Sequence, residues 1–519
     1  MSASLRRPRL LLGALALTAT LALTLSGCVT AFLPEPGRSA TAPLNENVAE
    51  NLKPFYGQDV EWKKCNSGME CATITSPMDW ANPERDTLTL DLIRTHADSG
   101  SARLGSLLVN PGGPGASGYD FVADSVTFAT DDRLRKSYDI VGFDPRGVGR
   151  STPVKCLDDA AMDNYLYGAG STAERGSAEW IAEAAAEASS FGAACLKQTG
   201  PALEFINTVN SARDMDLIRS LVGDPKLNFL GYSYGTFLGA TYAELYPQNV
   251  GRLVLDGAID PSVSNAEVSK IQAVGFENAL RAYLEDCLTG TRCPFTGSVD
   301  EAMTTVTSLL DSTAASPLRV SDGRILDANT LMTAIIFPLY SAESWPALSQ
   351  MFASVLGGDP GIAMQFADQY NGRDSSGRYT ENSTEAFTAY NCRDYTYNAD
   401  PESMAAEARA IEEAAPVLGK YMTYGDIGCA NWPFPDGAER TKIHAAGAPD
   451  ILVLGTTNDP ATPYEWAVSL ADQLESGHLV TYQGEGHTAY NKGSACINNT
   501  VDDFLINGTV PERDPQCRL

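Results

Sequence analysis

Positive charge is scarce in this 519-residue chain. Its 37 lysines and arginines face 65 aspartates and glutamates, a formal net charge of −28 at pH 7. Such a surface repels phosphate backbones and anionic headgroups, which argues against nucleic-acid binding and against electrostatic adhesion to a membrane. Histidine is scarcer still, with only His96, His444, His478 and His487. No Cys-x-x-Cys and no histidine-rich spacing is present, so no metal site is expected. Beyond the first 25 residues no apolar run is long enough to span a bilayer. No internal period marks a repeat array.

The one long apolar run stands at the start. Arg6, Arg7 and Arg9 precede Leu10–Leu25, and Leu25-Ser26-Gly27-Cys28 closes the stretch. This order reads as a secretory signal over residues 1–27 rather than a spanning helix. Its end resembles the lipobox of bacterial lipoproteins, which implies cleavage before Cys28 and lipidation of that residue; an ordinary signal cut nearby is the alternative. Residues 28–50, rich in Pro, Ala, Ser, Thr and Asn, read as the lipidated N-terminus and its tether. The expected location is the outer face of the cytoplasmic membrane, held by acyl chains, with release to the outside also open.

Cysteine usage agrees with export. Of eleven cysteines, setting Cys28 aside leaves an even number, which fits disulfides in an oxidising compartment. Cys65 with Cys71 and Cys287 with Cys293 are close enough to pair. Cys156, Cys195, Cys392, Cys429, Cys496 and Cys517 allow several connectivities. Neighbour pairing is the favoured one, with Cys496–Cys517 tying down the C-terminus.

Leu88–Arg94 alternates like a half-exposed strand. Short apolar runs follow at Ser106–Val109, Tyr138–Gly142, Leu227–Leu230, Leu253–Leu255, Ile451–Leu454 and Leu479–Tyr482. Helical patterns lie between several of them, notably Ala173–Phe191 and Val209–Val222. Strands alternating with helices predict an α/β fold with a mostly parallel sheet covered on both faces. From about residue 261 to 428 strand signals fade, and Asn265–Cys287, Val299–Ala314 and Pro401–Ala415 read as helices. An insertion there would sit over the C-terminal edge of the sheet, where ligands bind in open α/β folds. The expected division is a core over 51–260 and 429–519, with a helical cap over 261–428.

The run Gly231-Tyr232-Ser233-Tyr234-Gly235 follows a strand and opens a helical stretch, Thr236–Leu245. Small residues flanking a serine in a sharp strand-to-helix turn are what an exposed nucleophile needs. A base and an orienting acid must then come from elsewhere. His487, in Gly-Glu-Gly-His-Thr directly after the last core strand, can hang over Ser233, whereas His478 starts that strand at the opposite edge. Asp459 follows the strand before it, giving the order Ser233, Asp459, His487. Asp256, after Leu253–Leu255, is the competing acid, while Asp260 and Glu485 read as solvated loop charges. Oxyanion donors are expected from the N–H of Tyr234 and from the loop Asn110-Pro111-Gly112-Gly113-Pro114-Gly115, with Gly113 preferred to Gly112. The run Asp144–Ser151 reads as a tight loop braced by Asp144 and Arg146 beside the site.

Asn110–Gly115, Asp144–Ser151, Gly231–Gly235, Asp459 and His487 together resemble the prolyl-aminopeptidase-related branch of the α/β-hydrolases. Within it, the chain is similar to the exported tripeptidyl aminopeptidases of actinobacteria, over about residues 45–519. The resemblance implies an α/β-hydrolase fold and a serine exopeptidase, needing no cofactor, that releases short peptides from the free N-termini of peptides or proteins. Prolyl relatives carry His-Gly-Gly-Pro-Gly in the oxyanion loop, and Asn110-Pro111 here departs from it, which weakens single-proline release. Those relatives hold the substrate amine with cap acids; Asp394, beside Cys392, is the local candidate, and a surface-loop role is its alternative. A carboxylesterase or lipase on the same triad and a non-catalytic binding lipoprotein remain the competing functions.

Overall fold

The computed structural model describes residues 38–519 apart from 45, 67, 99–102, 169 and 436. The expected signal peptide, Cys28 and the first part of the expected tether lie outside the described residues. In chain order the strands are β1 (Arg38–Thr41), β2 (Val60–Asn66), β3 (Met69–Pro77), β4 (Thr87–Thr95), β5 (Ser106–Asn110), β6 (Asp139–Phe143), β7 (Leu227–Tyr232) and β8 (Val250–Asp256). They continue as β9 (Leu318–Arg319), β10 (Ile325–Leu326), β11 (Ile451–Asn458), β12 (Gly477–Glu485) and β13 (Gln516–Cys517). Eleven of them form one sheet in the order β1-β2-β3-β4-β6-β5-β7-β8-β11-β12-β13. From β1 to β6 neighbours run antiparallel. From β6 through β5 to β13 they run parallel.

Strand composition follows from what covers each strand. β4 alternates exposed and buried residues at its start, whereas every residue of β5 and β6 is buried, as in a parallel sheet packed on both faces. Along β5, Leu108 joins an apolar cluster with Leu217, Leu238 and Leu470. Leu107 and Val109 join the opposite one, with Val122, Val501 and Phe504. The helices Thr208–Leu221, Tyr234–Leu245 and Tyr464–Gln473 therefore cover one face, and Gly118–Ala129 and Ala495–Asn507 the other.

β6 lies on one side of β5 and β7 on the other, so the chain reverses its direction of travel across the sheet between them. A crevice opens at such a switch point, beyond the carboxyl ends of the strands. The loop after β5 and the turn after β7 both end there.

Between β8 and β11 the chain is mainly helical. Capping boxes at Ser264/Glu267 and Ser298/Glu301 start the helices Asn265–Thr289 and Val299–Ala315. With Ala328–Leu339, Trp345–Leu356 and Gly361–Tyr370 they bury a third apolar cluster around Leu280, Tyr283, Leu331 and Phe352. The two-residue strands β9 and β10 pair as a small hairpin within this stretch, too short to give a sequence signal. The helix Ser383–Asp394 differs from its neighbours, since Ala386, Ala389, Tyr390 and Cys392 pack with the sheet's own core.

The ten described cysteines pair as neighbours: Cys65–Cys71, Cys156–Cys195, Cys287–Cys293, Cys392–Cys429 and Cys496–Cys517. Among the described residues no helix is long and apolar enough to cross a membrane.

Candidate active site

Ser233 stands between β7 and the helix Tyr234–Leu245 with φ 55° and ψ −124°. A side-chain-bearing residue in that region costs about 1–3 kcal/mol and persists only where its surroundings enforce it. Here the Ser233 N–H donates to the Asp256 carbonyl at 2.9 Å, and its own carbonyl accepts from the Thr236 N–H at 2.8 Å. A Cβ on Gly231 would lie 2.4 Å from the Gly235 carbonyl oxygen, so the turn closes only without one.

The loop after β5 folds onto this turn. A Cβ on Gly112 would lie 2.6 Å from the Tyr232 carbonyl oxygen and 2.8 Å from Ser233 Cβ. The Gly112 N–H is already donated to Asn110 Oδ1 at 3.0 Å, which takes it out of contention as an oxyanion donor. The N–H groups of Gly113 and Tyr234 find no acceptor among the described residues.

Neighbouring strand ends supply the remaining groups. Gly231 is in register with Leu255 across β7 and β8, Leu454 of β11 with Asp256, and Asn458 of β11 with Glu485 of β12. Asp459 and His487 thus emerge side by side. His487 Nδ1 is 2.9 Å from both Asp459 Oδ1 and Oδ2. Asp459 is buried and also accepts from the N–H groups of Ala461 and Thr462 at 2.9 Å, from Thr488 N–H at 3.1 Å and from Thr462 Oγ1 at 3.0 Å. Burial pushes its carboxyl up, but the His487 imidazole and the amides of Thr462 and Thr488 outweigh it and hold it below the ordinary value.

Asp256, the competing acid, is engaged elsewhere. Its carboxylate accepts from the N–H groups of Ala489 at 2.9 Å and Tyr490 at 2.8 Å, fixing the backbone just past the histidine. A Cβ on Gly257 would meet His487 Cε1 at 3.2 Å. Ser233 and His487 therefore converge on Asp256–Gly257, the first through its N–H and the second through its ring. A serine in a strained turn, an imidazole with a carboxylate at its far nitrogen, and two unengaged amides are the parts an acyl transfer needs.

Other residues singled out from sequence fall differently. Asp394 is 6% exposed rather than set in a surface loop. Its oxygens accept from the Thr208 N–H at 3.0 Å and Thr208 Oγ1 at 2.6 Å, and Thr208 Oγ1 in turn bonds the Tyr234 hydroxyl. Burial raises this carboxyl to about 6. It stands behind Tyr234, not in an open wall, because the helix Ser383–Asp394 packs into the core. Asp260 is buried as well, accepting from Ser262 N–H and Gln473 Nε2 at 2.8 Å, so it is not a solvated charge. Glu485 accepts from Asn458. Asp144 braces its loop through Tyr119 and Arg150 N–H groups at 3.2 and 2.9 Å. Arg146 instead turns inward to form a fully buried bidentate pair with Asp214, both bonds 2.7 Å. His96, His444 and His478 contact Glu70, the Gln473 carbonyl and Asp450 respectively.

Two contributors escaped the sequence reading, as did a buried carboxylate in a neighbouring cleft. Thr462 Oγ1 lies 3.2 Å from His487 Nδ1 as well as bonding Asp459. Tyr340, from the helical insertion, accepts the His487 N–H on its carbonyl at 2.8 Å and sets its ring edge-on to the imidazole at 5.5 Å. Glu385 is 8% exposed and lines a neighbouring cleft of about 600 Å³ with Gly115, Ser117, Arg150 and Glu381, a lining that includes neither Ser233 nor His487. Burial raises its carboxyl to about 7, and no side chain among the described residues pairs with it. Only the Thr462 position, three residues after the acid, carried a local signal. No group of residues able to hold a metal occurs among the described residues.

Comparison with known proteins agrees in kind. The family model described as TAP-like protein matches residues 415–517, the stretch that carries Asp459 and His487. Serine protease Hip1 of Mycobacterium tuberculosis is 36% identical over 520 residues, covering 96% of each chain. Carboxylesterase B of the same species is 35% identical over 479 residues, 89% of this chain and 91% of the relative. Tripeptidyl aminopeptidase of Streptomyces lividans is 29% identical over 476 residues, 88% of this chain and 86% of the relative.

Proposed function

The chain belongs to the α/β-hydrolase family that contains serine protease Hip1, and from that premise we propose that it is an exported exopeptidase releasing short peptides, tripeptides foremost, from free N-termini. Ser233 Oγ attacks the scissile carbonyl while His487 Nε2 takes its proton. Asp459 holds the Nδ1–H and stabilises the imidazolium, and the N–H groups of Gly113 and Tyr234 receive the oxyanion. The leaving amine takes the proton back from His487. Water, deprotonated by the same imidazole, then releases the acyl group from Ser233. The observation that carries the serine-hydrolase chemistry of this reading is the Asp459–His487 contact, with both oxygens 2.9 Å from Nδ1, at strand ends separated from the serine turn by β8 alone.

A substrate ammonium drawn into the cleft needs a carboxylate, since an unpaired buried charge costs several kcal/mol. Glu385 meets that need better than Asp394, whose oxygens already serve Thr208. In this reading Asp394 steadies Tyr234 through Thr208.

The disulfides support an oxidising compartment, and lipidation at Cys28 would fasten the enzyme to the outer membrane face. Cys28→Ala should then lose detergent partitioning; a wild-type mature N-terminus elsewhere and unmodified would overturn the anchor.

The deciding assay pairs one chromogenic tripeptide, free and N-acetylated, with a simple acyl ester. The expected result is a strong preference for the free peptide, removed by Ser233→Ala and weakened by Glu385→Gln. Equal rates on both peptides defeat the aminopeptidase reading. Cleavage of the ester alone favours an esterase, a reading that the Carboxylesterase B relative keeps in view.

A further inference from the structure

The imidazole of His487 has an aromatic neighbour that the triad chemistry does not use. Tyr340 caps the C-terminal end of the helix Ala328–Leu339, and its carbonyl accepts the His487 N–H at 2.8 Å. A Cβ on Gly486 would lie 3.0 Å from that carbonyl oxygen, so a glycine before the histidine lets the insertion seat there. The bond is made by main chain alone and does not dictate the side chain. That side chain is a ring, edge-on to the imidazole at 5.5 Å and 79°. Phe337, three residues earlier, shares the same helix face and is half-buried. The Tyr370 ring packs edge-on against Phe337 at 6.2 Å and stands beside the Tyr340 hydroxyl. It is 41% exposed. An aromatic strip therefore leads from the imidazole to the open surface.

Sheet order decides which part of a substrate meets this strip. The oxyanion donors follow β5 and β7, while the imidazole follows β12, beyond β8 and β11. A carbonyl attacked by Ser233 Oγ turns its oxygen toward the first pair. Its leaving amine turns toward the imidazole, because that amine takes its proton from Nε2. The residue behind the amine then lies on the Tyr340 side.

We propose that Tyr340, Phe337 and Tyr370 form the subsite for the residue that follows the scissile bond, and that they select an aromatic or large apolar side chain there. Rings left partly open to water gain from a further ring laid against them, whereas a glycine leaves them wet. The inference rests on Ser233 and His487 acting as nucleophile and base, and it concerns the departing half of the substrate rather than its N-terminus.

The test runs the departing step in reverse. The acyl-enzyme is formed from the chromogenic tripeptide or the acyl ester and is offered phenylalaninamide or glycinamide at equal free-base concentration. The amine nitrogen bonds the acyl carbon, the bond to Ser233 Oγ breaks, and the amine's proton passes through His487 to that oxygen. The readout is the ratio of amide product to hydrolysis product, which does not depend on the total rate. The ester supplies the acyl group even if the aminopeptidase reading fails. Phenylalaninamide should capture the acyl group about tenfold better than glycinamide. Tyr370→Ala and Phe337→Leu should each cut that preference about threefold, and Tyr370→Phe, which keeps the ring, should preserve it. Equal capture of the two amines, capture of neither, or a preference unchanged in both Tyr370→Ala and Phe337→Leu would overturn the proposal.

Discussion

Asp459 and Asp256 lie at the ends of adjacent strands and differ in what they hold, which separates their expected mutant phenotypes. Asp459→Asn should leave the fold and cut kcat by about 10⁴-fold, since an amide at Nδ1 selects the wrong imidazole tautomer. Asp256→Asn should cost stability first, about 1–3 kcal/mol, because one of the two oxygens that accept from Ala489 and Tyr490 becomes an NH2 that faces an N–H donor, with the smaller loss in kcat. Steady-state kinetics beside thermal melts would rank the two, and the reverse ranking would move the acid's role to Asp256. Asp394 offers a pH test. Its folded-state value, about 6, lies above the ordinary carboxylate value near 4. Its contribution to stability is therefore full below about pH 4 and is lost as pH rises through about 6. The stability advantage of the wild type over Asp394→Asn should shrink across that window, and a constant difference in Tm would contradict it. Ser233, Asp459 and His487 were legible because each follows an apolar run in a short motif. Glu385 and Tyr340 were not, because their neighbours are brought up only by the packing of the insertion. Asp260 misled for the same reason, its partner Gln473 lying on a distant helix.

At the level of elements, the loop after β6 depends on a buried ion pair. Arg146 and Asp214 are both fully buried, and Arg146 also donates to the carbonyls of Met78, Phe205 and Pro77. Arg146→Met should destabilise the protein by about 3–5 kcal/mol by stranding the Asp214 charge, read as a large drop in denaturation midpoint. Little change in midpoint would mean that solvent reaches the site. The alternation or apolar runs of β4 to β8, β11 and β12 exposed the sheet in the sequence, since helices on both faces impose them. Helix limits were less exact. The helix expected at 173–191 runs from Ala178 to Thr199, beginning at the Ser177 cap and stopping where Gly200 turns to φ 73°; the alanine-rich composition concealed both signals. The pairing of Arg146 with helix Thr208–Leu221 rather than with Asp144 needed the tertiary fold.

Across the whole molecule, the disulfides should all be formed in the mature enzyme. Thiol titration of the denatured, unreduced protein should find none of the ten described cysteines free, and several free thiols would contradict export through an oxidising compartment. Removing Cys392–Cys429 by paired serine substitutions should lower stability by about 2–4 kcal/mol, since it fastens the helix Ser383–Asp394 across 37 residues of chain. An unchanged melt would show that core packing alone holds that helix. The sheet order gives this architecture a temporal side. The strand bearing the serine turn lies in the middle of the sheet, while the proposed acid and base arrive on β11 and β12, after the long insertion. In the proposed exported enzyme, the emerging chain presents Ser233 about 230 to 250 residues before Asp459 and His487, the groups that would activate it. Until the last strands add to the open edge beside β8, the serine is an ordinary alcohol. On that reading the unfinished chain carries an idle serine until its last strands are in place.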